Sequence, residues 1–109
     1  MQRNILGKTA EGRDIVAYKL SEGAQGDTSN KTGVVITGCH HAREWATVEA
    51  PLKLAHDLLD GLSEDPAKQN RLKDSESLIV PCVNPDGYEY SRSRDNMWRK
   101  NRRPLEVDQ

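Results

Sequence analysis

A histidine and a glutamate three residues apart are candidate ligands of a metal ion. His41 and Glu44 have this spacing, and they follow a short apolar run at residues 34–37. In a turn, or in the first turn of a helix, side chains with this spacing can lie on one side, where an imidazole nitrogen and a carboxylate oxygen suit zinc. Because the spacing also arises by chance, a helix-capping glutamate beside a surface histidine is the alternative.

A second polar segment, Asn-Pro-Asp-Gly-Tyr at residues 84–88, follows a later apolar run. Proline fixes φ and glycine adds backbone freedom, so these residues by themselves predict a turn. In open α/β sheets, ligands bind beyond the carboxyl ends of the strands. We therefore expect this segment and His41 to converge at one edge of a sheet.

A third segment, residues 92–103, is basic. Three interpretations are open: a solvated loop, an anion-binding arginine near the edge that carries His41, and a nucleic-acid or localisation patch. The chain has 16 basic and 17 acidic residues and a net charge of −1, which argues against a nucleic-acid partner. The basic side chains of the segment are Arg92, Arg94, Arg99, Lys100, Arg102 and Arg103.

Three segments of the chain have strand patterns. Alternation over residues 13–20 predicts a half-buried strand, and the turn-forming residues at 21–31 predict a solvent-exposed loop. The β-branched run at residues 34–37, flanked by glycines, predicts a strand covered on both faces, which would be central in the sheet. Residues 77–80 predict a further strand, which Pro81 ends or bends because proline lacks a donor.

Two segments between the later strands have helical patterns. From Thr47 onward, apolar residues three and four apart predict an amphipathic helix, with Pro51 tolerated in its first turn and Gly61 at its end. A second helix is predicted to start with a cap at Asp65 and to run to about Lys73. The apolar positions of the first helix are Leu52, Ala55, Leu58, Leu59 and Leu62.

The order strand, helix, strand over residues 33–83 predicts a βαβ unit with parallel strands and a right-handed crossover, so the fold class is α/β. Beyond Tyr90 no periodicity is present, and the remaining residues are expected to be extended and on the surface. With 109 residues, of which 35% are apolar, the chain has room for one domain with a thin core.

Several other features limit the function classes. No apolar stretch approaches the length of a membrane span, which needs about 20 consecutive apolar residues, so no membrane partner is expected. The first residues lack the apolar stretch of a secretory signal. Cys39 and Cys82 are too few for a disulfide framework and are expected to be buried thiols, with a single disulfide as the alternative.

Three motifs in this order resemble the zinc metallocarboxypeptidase family of the carboxypeptidase A type. They are His-Ala-Arg-Glu-Trp at residues 41–45, Asn-Pro-Asp-Gly-Tyr at 84–88 and Trp-Arg-Lys-Asn-Arg at 98–102. Residues 6–13 also resemble the family's segment that leads into an early strand, so the likeness spans essentially the whole chain. The resemblance implies a partial mixed sheet with a βαβ unit, part of a larger α/β/α domain. Residues 1–109 would form a single partial domain, the N-terminal portion of the catalytic domain.

The resemblance also implies roles for individual residues. His41 and Glu44 would bind one zinc ion, Arg43 would bind substrate, and Arg99 would stabilise the oxyanion. The implied reaction is hydrolysis of the C-terminal peptide bond of a peptide or protein by zinc-activated water. Trp45 would pack so as to orient the turn that carries the ligands. Other histidines of the chain, at positions 40 and 56, do not match metal positions of the family.

In the family, a third zinc ligand, a general-base glutamate and an Asn-Arg pair for the terminal carboxylate come further downstream. Zinc sites take three or four protein ligands, so we expect this chain alone to bind zinc poorly and to lack peptidase activity. Terminal-residue specificity and localisation stay open, although family members are often secreted. A βαβ piece would leave a sheet edge unpaired, and the remainder of the domain or a second copy could cover it.

Two alternatives differ from a carboxypeptidase. A zinc-dependent deacylase of the related type also uses His-x-x-Glu, but the motifs at residues 43–45 and 98–102 favour the carboxypeptidase. A non-catalytic module would instead bind peptide carboxylates through Arg43 and Arg99, or nucleic acid through Arg102 and Arg103.

Overall fold

A computed structural model describes residues 1–60 and 65–105, apart from the side chain of Lys68. Four strands form one mixed sheet with the spatial order β1-β2-β4-β3. Strand β2 pairs antiparallel with β1 and with β4, whereas β3 and β4 are parallel. The α/β class and the parallel pairing of the βαβ unit are therefore confirmed. The elements are β1 (Gln2–Lys8), β2 (Asp14–Leu20), β3 (Thr32–Thr37), α1 (Ala46–Asp60), α2 (Pro66–Asp74), β4 (Ser75–Val80) and α3 (Pro85–Ser93).

The first strand, β1, is absent from the sequence interpretation. It forms a hairpin with β2, and the pairing register shifts between Ile5 and Gly7. The shift accommodates Leu6 as an extra residue, so two apolar residues stand next to each other and the strict alternation of a strand is lost. The pattern that predicts β2 correctly therefore could not reveal its partner.

The prediction that residues 34–37 form the central strand is wrong. Strand β3 lies at the edge of the sheet, and β4 lies between β3 and β2. In the described part of the chain, Val34 is 50% exposed and Val35 is 66% exposed. A run of β-branched residues indicates an extended backbone, but it does not identify the strands that lie on either side.

The two helices between β3 and β4 are confirmed, with two corrections. Pro51 is the sixth residue of α1 and lies in its second turn, not its first. Leu52 is 39% exposed, although Ala55, Leu58 and Leu59 face the core as predicted. Helix α2 starts at its predicted cap, where the Asp65 carboxylate accepts a hydrogen bond from the Ala67 amide at 2.9 Å. The predicted positions Gly61 and Leu62 lie outside the described residues.

The core is small and lies between the inner strands and the helices α1 and α2. Its buried members are Leu20, Ala55, Leu72 and Ile79, and the partly buried Ile36, Leu58 and Leu59 pack against them. In the described residues, no helix is long and apolar enough to cross a membrane.

The turn predicted at residues 84–88 is in fact the start of helix α3. Asn84 is its N-cap and Pro85 its first residue, and the Asn84 side chain accepts a hydrogen bond from the Gly87 amide at 3.2 Å. An asparagine followed by proline can start a helix as readily as a turn, and α3 has no apolar stripe that would distinguish the two. The expectation that the chain beyond Tyr90 is extended and on the surface is wrong for residues 91–93, which belong to α3, and Ser91 is 1% exposed. Between residues 94 and 105 the chain has neither helix nor strand.

Candidate functional site

His41 and Glu44 face each other in the turn that follows β3. The His41 Nδ1 atom lies 2.6 Å from the Glu44 Oε2 atom, and the side chains are 43% and 48% exposed. The Glu44 amide donates to the His41 carbonyl at 3.1 Å, so the turn itself brings the pair together. An imidazole nitrogen and a carboxylate oxygen are both zinc ligands, and their exposure leaves them accessible to an ion. The chemistry of His41 and Glu44 therefore fits two of the ligands of a zinc ion.

Among the described residues, no group of three or more histidine, cysteine, aspartate or glutamate side chains could hold a metal ion. His40 is exposed, and its Nε2 atom lies 3.3 Å from Thr37 Oγ1. His56 lies on the exposed surface of α1, with Nδ1 3.1 Å from Asp60 Oδ2. Each of these histidines therefore has a polar partner outside the candidate ligand pair.

Gly38 connects β3 to this turn at a point of close backbone approach. A Cβ atom at position 38 would overlap the Thr47 carbonyl oxygen and would lie 2.7 Å from the Pro81 carbonyl oxygen. The Thr47 carbonyl also lacks its usual helical donor, because Pro51 has no N–H. Gly38 donates to the Val80 carbonyl and accepts from the Val83 amide, each at 3.0 Å, which continues the pairing of β3 with β4. Only glycine fits here.

The next residue, Cys39, is 1% exposed and has a positive φ of 50°. Burial and the neighbouring Cys82 thiol raise the pKa of Cys39 to about 12. Burial also raises the pKa of Cys82, which is half-buried. Both cysteines are free, so the expectation of buried thiols is right for Cys39 and only partly right for Cys82.

Trp45 fixes the turn against helix α3. Its Nε1 atom donates to Ser91 Oγ at 2.8 Å, and the Ser91 hydroxyl lies within hydrogen-bond distance of the carbonyl oxygens of Ala42 (3.0 Å) and Tyr88 (2.8 Å). The Arg92 guanidinium stacks 5.2 Å from the Trp45 ring centroid. Trp45 is thus a packing residue that orients the turn, which is the role the sequence interpretation gave it.

The two predicted functional arginines lie on adjoining segments. The Ala42 amide donates to the Arg99 carbonyl at 2.9 Å, and Arg43 Nη1 lies 3.5 Å from the Met97 carbonyl oxygen. The backbone of Arg99 therefore lies beside the ligand turn, and the side chains of Arg43 and Arg99 are both exposed.

One side chain of the basic segment, Arg102, packs against aromatic rings, whereas Arg94, Arg99, Lys100 and Arg103 are exposed. The Arg102 guanidinium lies 3.9 Å from the ring centroid of Tyr90 and 4.8 Å from that of Trp98. Cation–π contacts of this kind attach the segment to α3. Arg102 therefore has a structural partner of its own, which weakens the nucleic-acid interpretation.

Asp86, in the first turn of α3, is a buried carboxylate that the sequence interpretation missed. It accepts hydrogen bonds from Thr9 Oγ1 at 2.6 Å, Arg13 Nη1 at 3.0 Å and the Glu11 amide at 3.1 Å. Burial opposes its ionisation, but these hydrogen bonds outweigh burial and hold the pKa of Asp86 below its usual value. Asp86 therefore attaches the turn between β1 and β2 to the start of α3.

A model of the zinc carboxypeptidase family matches residues 1–109, and the chain belongs to that family. It is 38% identical over 104 residues to the inactive metallocarboxypeptidase ECM14 of Saccharomyces cerevisiae, an alignment that covers 95% of this chain and 24% of the yeast protein. The resemblance found in the three motifs is thereby confirmed.

Solved structures agree with this assignment. The structure of thrombin-activatable fibrinolysis inhibitor matches with a TM-score of 0.83 and 30% identity, over 96% of this chain and 25% of that one. Carboxypeptidase A from Helicoverpa armigera matches with a TM-score of 0.82 and 31% identity, over 98% of this chain and 25% of that one. The chain spans about a quarter of the length of the relatives it matches.

Proposed function

We propose that this chain forms the N-terminal portion of a zinc carboxypeptidase catalytic domain and supplies His41 and Glu44 as two zinc ligands. The observation that carries the proposal is the 2.6 Å approach of His41 Nδ1 to Glu44 Oε2 on an accessible surface. Membership of the zinc carboxypeptidase family supports the choice of metal. When bound, zinc would activate water and polarise the carbonyl of a C-terminal peptide bond.

Arg43 and Arg99 serve the substrate in this proposal. Arg43 lies between the two ligands in sequence, and the Arg99 backbone is hydrogen-bonded to Ala42 of the same turn. A guanidinium can bind a peptide carboxylate in two-point geometry or stabilise a developing oxyanion. We assign carboxylate binding to Arg43 and oxyanion stabilisation to Arg99, whose loss would lower kcat by about 10²–10³.

The isolated chain should not work as an enzyme. Catalytic zinc sites use three protein ligands, whereas the described residues bring together only the pair His41 and Glu44. We expect weak zinc binding and no peptide hydrolysis from these residues alone. The substrate of the complete protein would be a peptide or protein with a free C-terminus.

A second candidate is a family member that binds zinc and peptide carboxylates without catalysis. One observation favours it: the yeast relative, at 38% identity, is named an inactive metallocarboxypeptidase. Carboxypeptidase A from Helicoverpa armigera, whose name does not include the word inactive, shares 31% identity with this chain. Both candidates use His41 and Glu44 as ligands, and they differ only in turnover.

The test uses the complete protein that contains this chain, loaded with zinc. Two peptides of the same sequence, one with a free and one with an amidated C-terminus, serve as substrates. A zinc carboxypeptidase shortens the free peptide and leaves the amidated one intact. Zinc and peptide binding without hydrolysis would establish the second candidate, and failure to bind zinc would refute both.

The matched variants are Glu44→Gln and Glu49→Gln. Glu49 is exposed in the first turn of α1, five residues beyond the candidate ligand. Glu44→Gln should abolish hydrolysis and weaken zinc binding because it removes a ligand oxygen charge, whereas Glu49→Gln should change neither. Equal activity of the two variants would contradict the ligand role of Glu44.

A further inference from the structure

Asn84 lies where three segments of the candidate site meet. Its Nδ2 atom donates to the His40 carbonyl and to the Lys100 carbonyl, each at 3.1 Å. Its Oδ1 atom accepts from the Gly87 amide at 3.2 Å, which caps helix α3. Asn84 is 8% exposed, so water does not compete effectively for these bonds. One amide group thus joins the ligand turn, the segment that carries Arg99 and the start of α3.

We propose that Asn84 is a positioning residue, whose amide group holds the turn of His41 and Glu44 in register with the segment of Arg99. The inference rests on the proposed function, since it concerns the placement of those three residues. The two carbonyl groups that accept these bonds belong to sequence neighbours of the proposed site residues. His40 precedes His41, and Lys100 follows Arg99. A shift of either carbonyl would therefore change the separation between the candidate ligands and Arg99.

The chemistry of the bridge requires an amide. Its NH₂ group has two donors, and both are used on carbonyl oxygens, while its oxygen accepts the capping bond. Aspartate caps a helix as well as asparagine does, but it has no donor and would set a negative charge against two carbonyl oxygens. Serine also caps, but its single hydroxyl cannot make both remaining bonds.

Gly87 provides the space for this bridge. A Cβ atom at position 87 would lie 2.5 Å from Asn84 Nδ2 and 2.5 Å from the Lys100 carbonyl oxygen. Both distances are below those that real Cβ atoms adopt, so any side chain here would displace the bridge. The glycine of the Asn-Pro-Asp-Gly segment is therefore explained by close approach and not by a turn.

The simpler explanation is that Asn84 serves only as a helix cap. Asp65 provides a matched control, since it caps a different helix, α2, through the Ala67 amide at 2.9 Å. Two backbone amides provide the readout. The Ala42 amide reports the register, because it donates to the Arg99 carbonyl at 2.9 Å, and the Gly38 amide reports the fold, because it donates to the Val80 carbonyl at 3.0 Å.

The experiment measures hydrogen exchange at these two amides, and zinc affinity, in the complete protein and in its Asn84→Asp, Asn84→Ser and Asp65→Ala variants. Both Asn84 variants should lower the protection of the Ala42 amide by about 10-fold or more while Gly38 keeps its protection. Zinc affinity should fall by about 10-fold, as it does when other groups that orient ligands are lost. Asp65→Ala should change neither the Ala42 amide nor zinc affinity.

Unchanged protection of Ala42 in both Asn84 variants would overturn the inference. A parallel loss at Gly38 and Ala42 would also overturn it, since general unfolding is what a purely structural cap predicts. If the unmodified protein binds no zinc, the proposed function fails, and the exchange of the Ala42 amide still decides the role of Asn84.

Discussion

Two regions of the molecule, which we call the polar corner and the apolar edge, differ in the contacts that their side chains make. The polar corner consists of residues 38–45, 84–91 and 97–102, and the apolar edge consists of β3 with Leu52 and Leu54 of α1. In the corner, Asn84, Asp86 and Ser91 are 8%, 4% and 1% exposed, and each has several hydrogen-bond partners. At the edge, Val35 is 66% exposed and Leu54 40% exposed in the described part of the chain.

This difference shows which part of the structure the described residues determine by themselves. A buried polar group without a partner costs about 1–3 kcal/mol, so the bonds of the corner strongly favour one arrangement. Exposed valines impose no comparable restriction. The arrangement of the polar corner is therefore determined within the described residues, whereas the surroundings of the apolar edge are not. Substitutions in the corner should have large effects, and substitutions at the edge small ones.

The largest effect is expected from Gly38→Ala. The added Cβ would overlap the Thr47 carbonyl oxygen, so the backbone of the ligand turn must move. We expect a loss of about 3 kcal/mol in the free energy of unfolding, measured by urea denaturation of the complete protein. Gly7→Ala is the control, because no atom lies within 4 Å of a Cβ at that position. Similar behaviour of the two variants would show that the corner is not tightly packed.

Asp86→Asn should have the next largest effect, about 2 kcal/mol at neutral pH, because it removes the charge that holds three donors. The pKa of Asp86 is lower in the folded than in the unfolded protein. Its contribution to stability is therefore complete above the unfolded value of about 3.9 and is lost as the pH falls through the lower folded value.

Urea denaturation at several pH values checks this dependence. The difference in stability between the unmodified protein and Asp86→Asn should stay constant above about pH 5 and shrink as the pH falls below the unfolded value of about 3.9. Glu89→Gln on the exposed side of the same helix is the control and should leave the pH dependence unchanged. A difference that stays constant with pH would mean that the Asp86 charge contributes nothing.

The smallest effect is expected at the apolar edge. Val35→Thr keeps the β-branched shape at an exposed position, so stability should change by no more than about 0.5 kcal/mol. Ile79→Val, at a fully buried position of the adjacent strand, should cost about 1 kcal/mol. If Val35→Thr costs as much as Ile79→Val in the complete protein, the edge is covered there and the contrast between the two regions fails.

Local patterns in the sequence predict β2, α2, β4 and the parallel pairing of β3 with β4 correctly. In these segments the spacing of the apolar residues and the residue that caps or ends the element indicate the same structure. Local patterns fail where the backbone departs from a regular period, as at the bulge of β1. They also fail for the position of β3, because the order of strands in a sheet depends on contacts between distant residues.

The close approach of His41 to Glu44 is predictable from the sequence because both residues lie within one turn. The buried polar residues of the corner are not, since their partners are far away in sequence. Ser91 contacts Ala42 across 49 residues, and Asp86 contacts Thr9 across 77. The Asn-Pro-Asp-Gly segment is a local signal, but it predicts a turn as readily as a helix start because both use asparagine and proline.

The central claim, that His41 and Glu44 bind one zinc ion, is tested most directly by anomalous diffraction at the zinc absorption edge. Crystals of the zinc-loaded complete protein should show an anomalous peak about 2.0–2.2 Å from both His41 Nδ1 and a Glu44 carboxylate oxygen. A zinc peak bound by other residues, with the two side chains still hydrogen-bonded to each other, would contradict the claim.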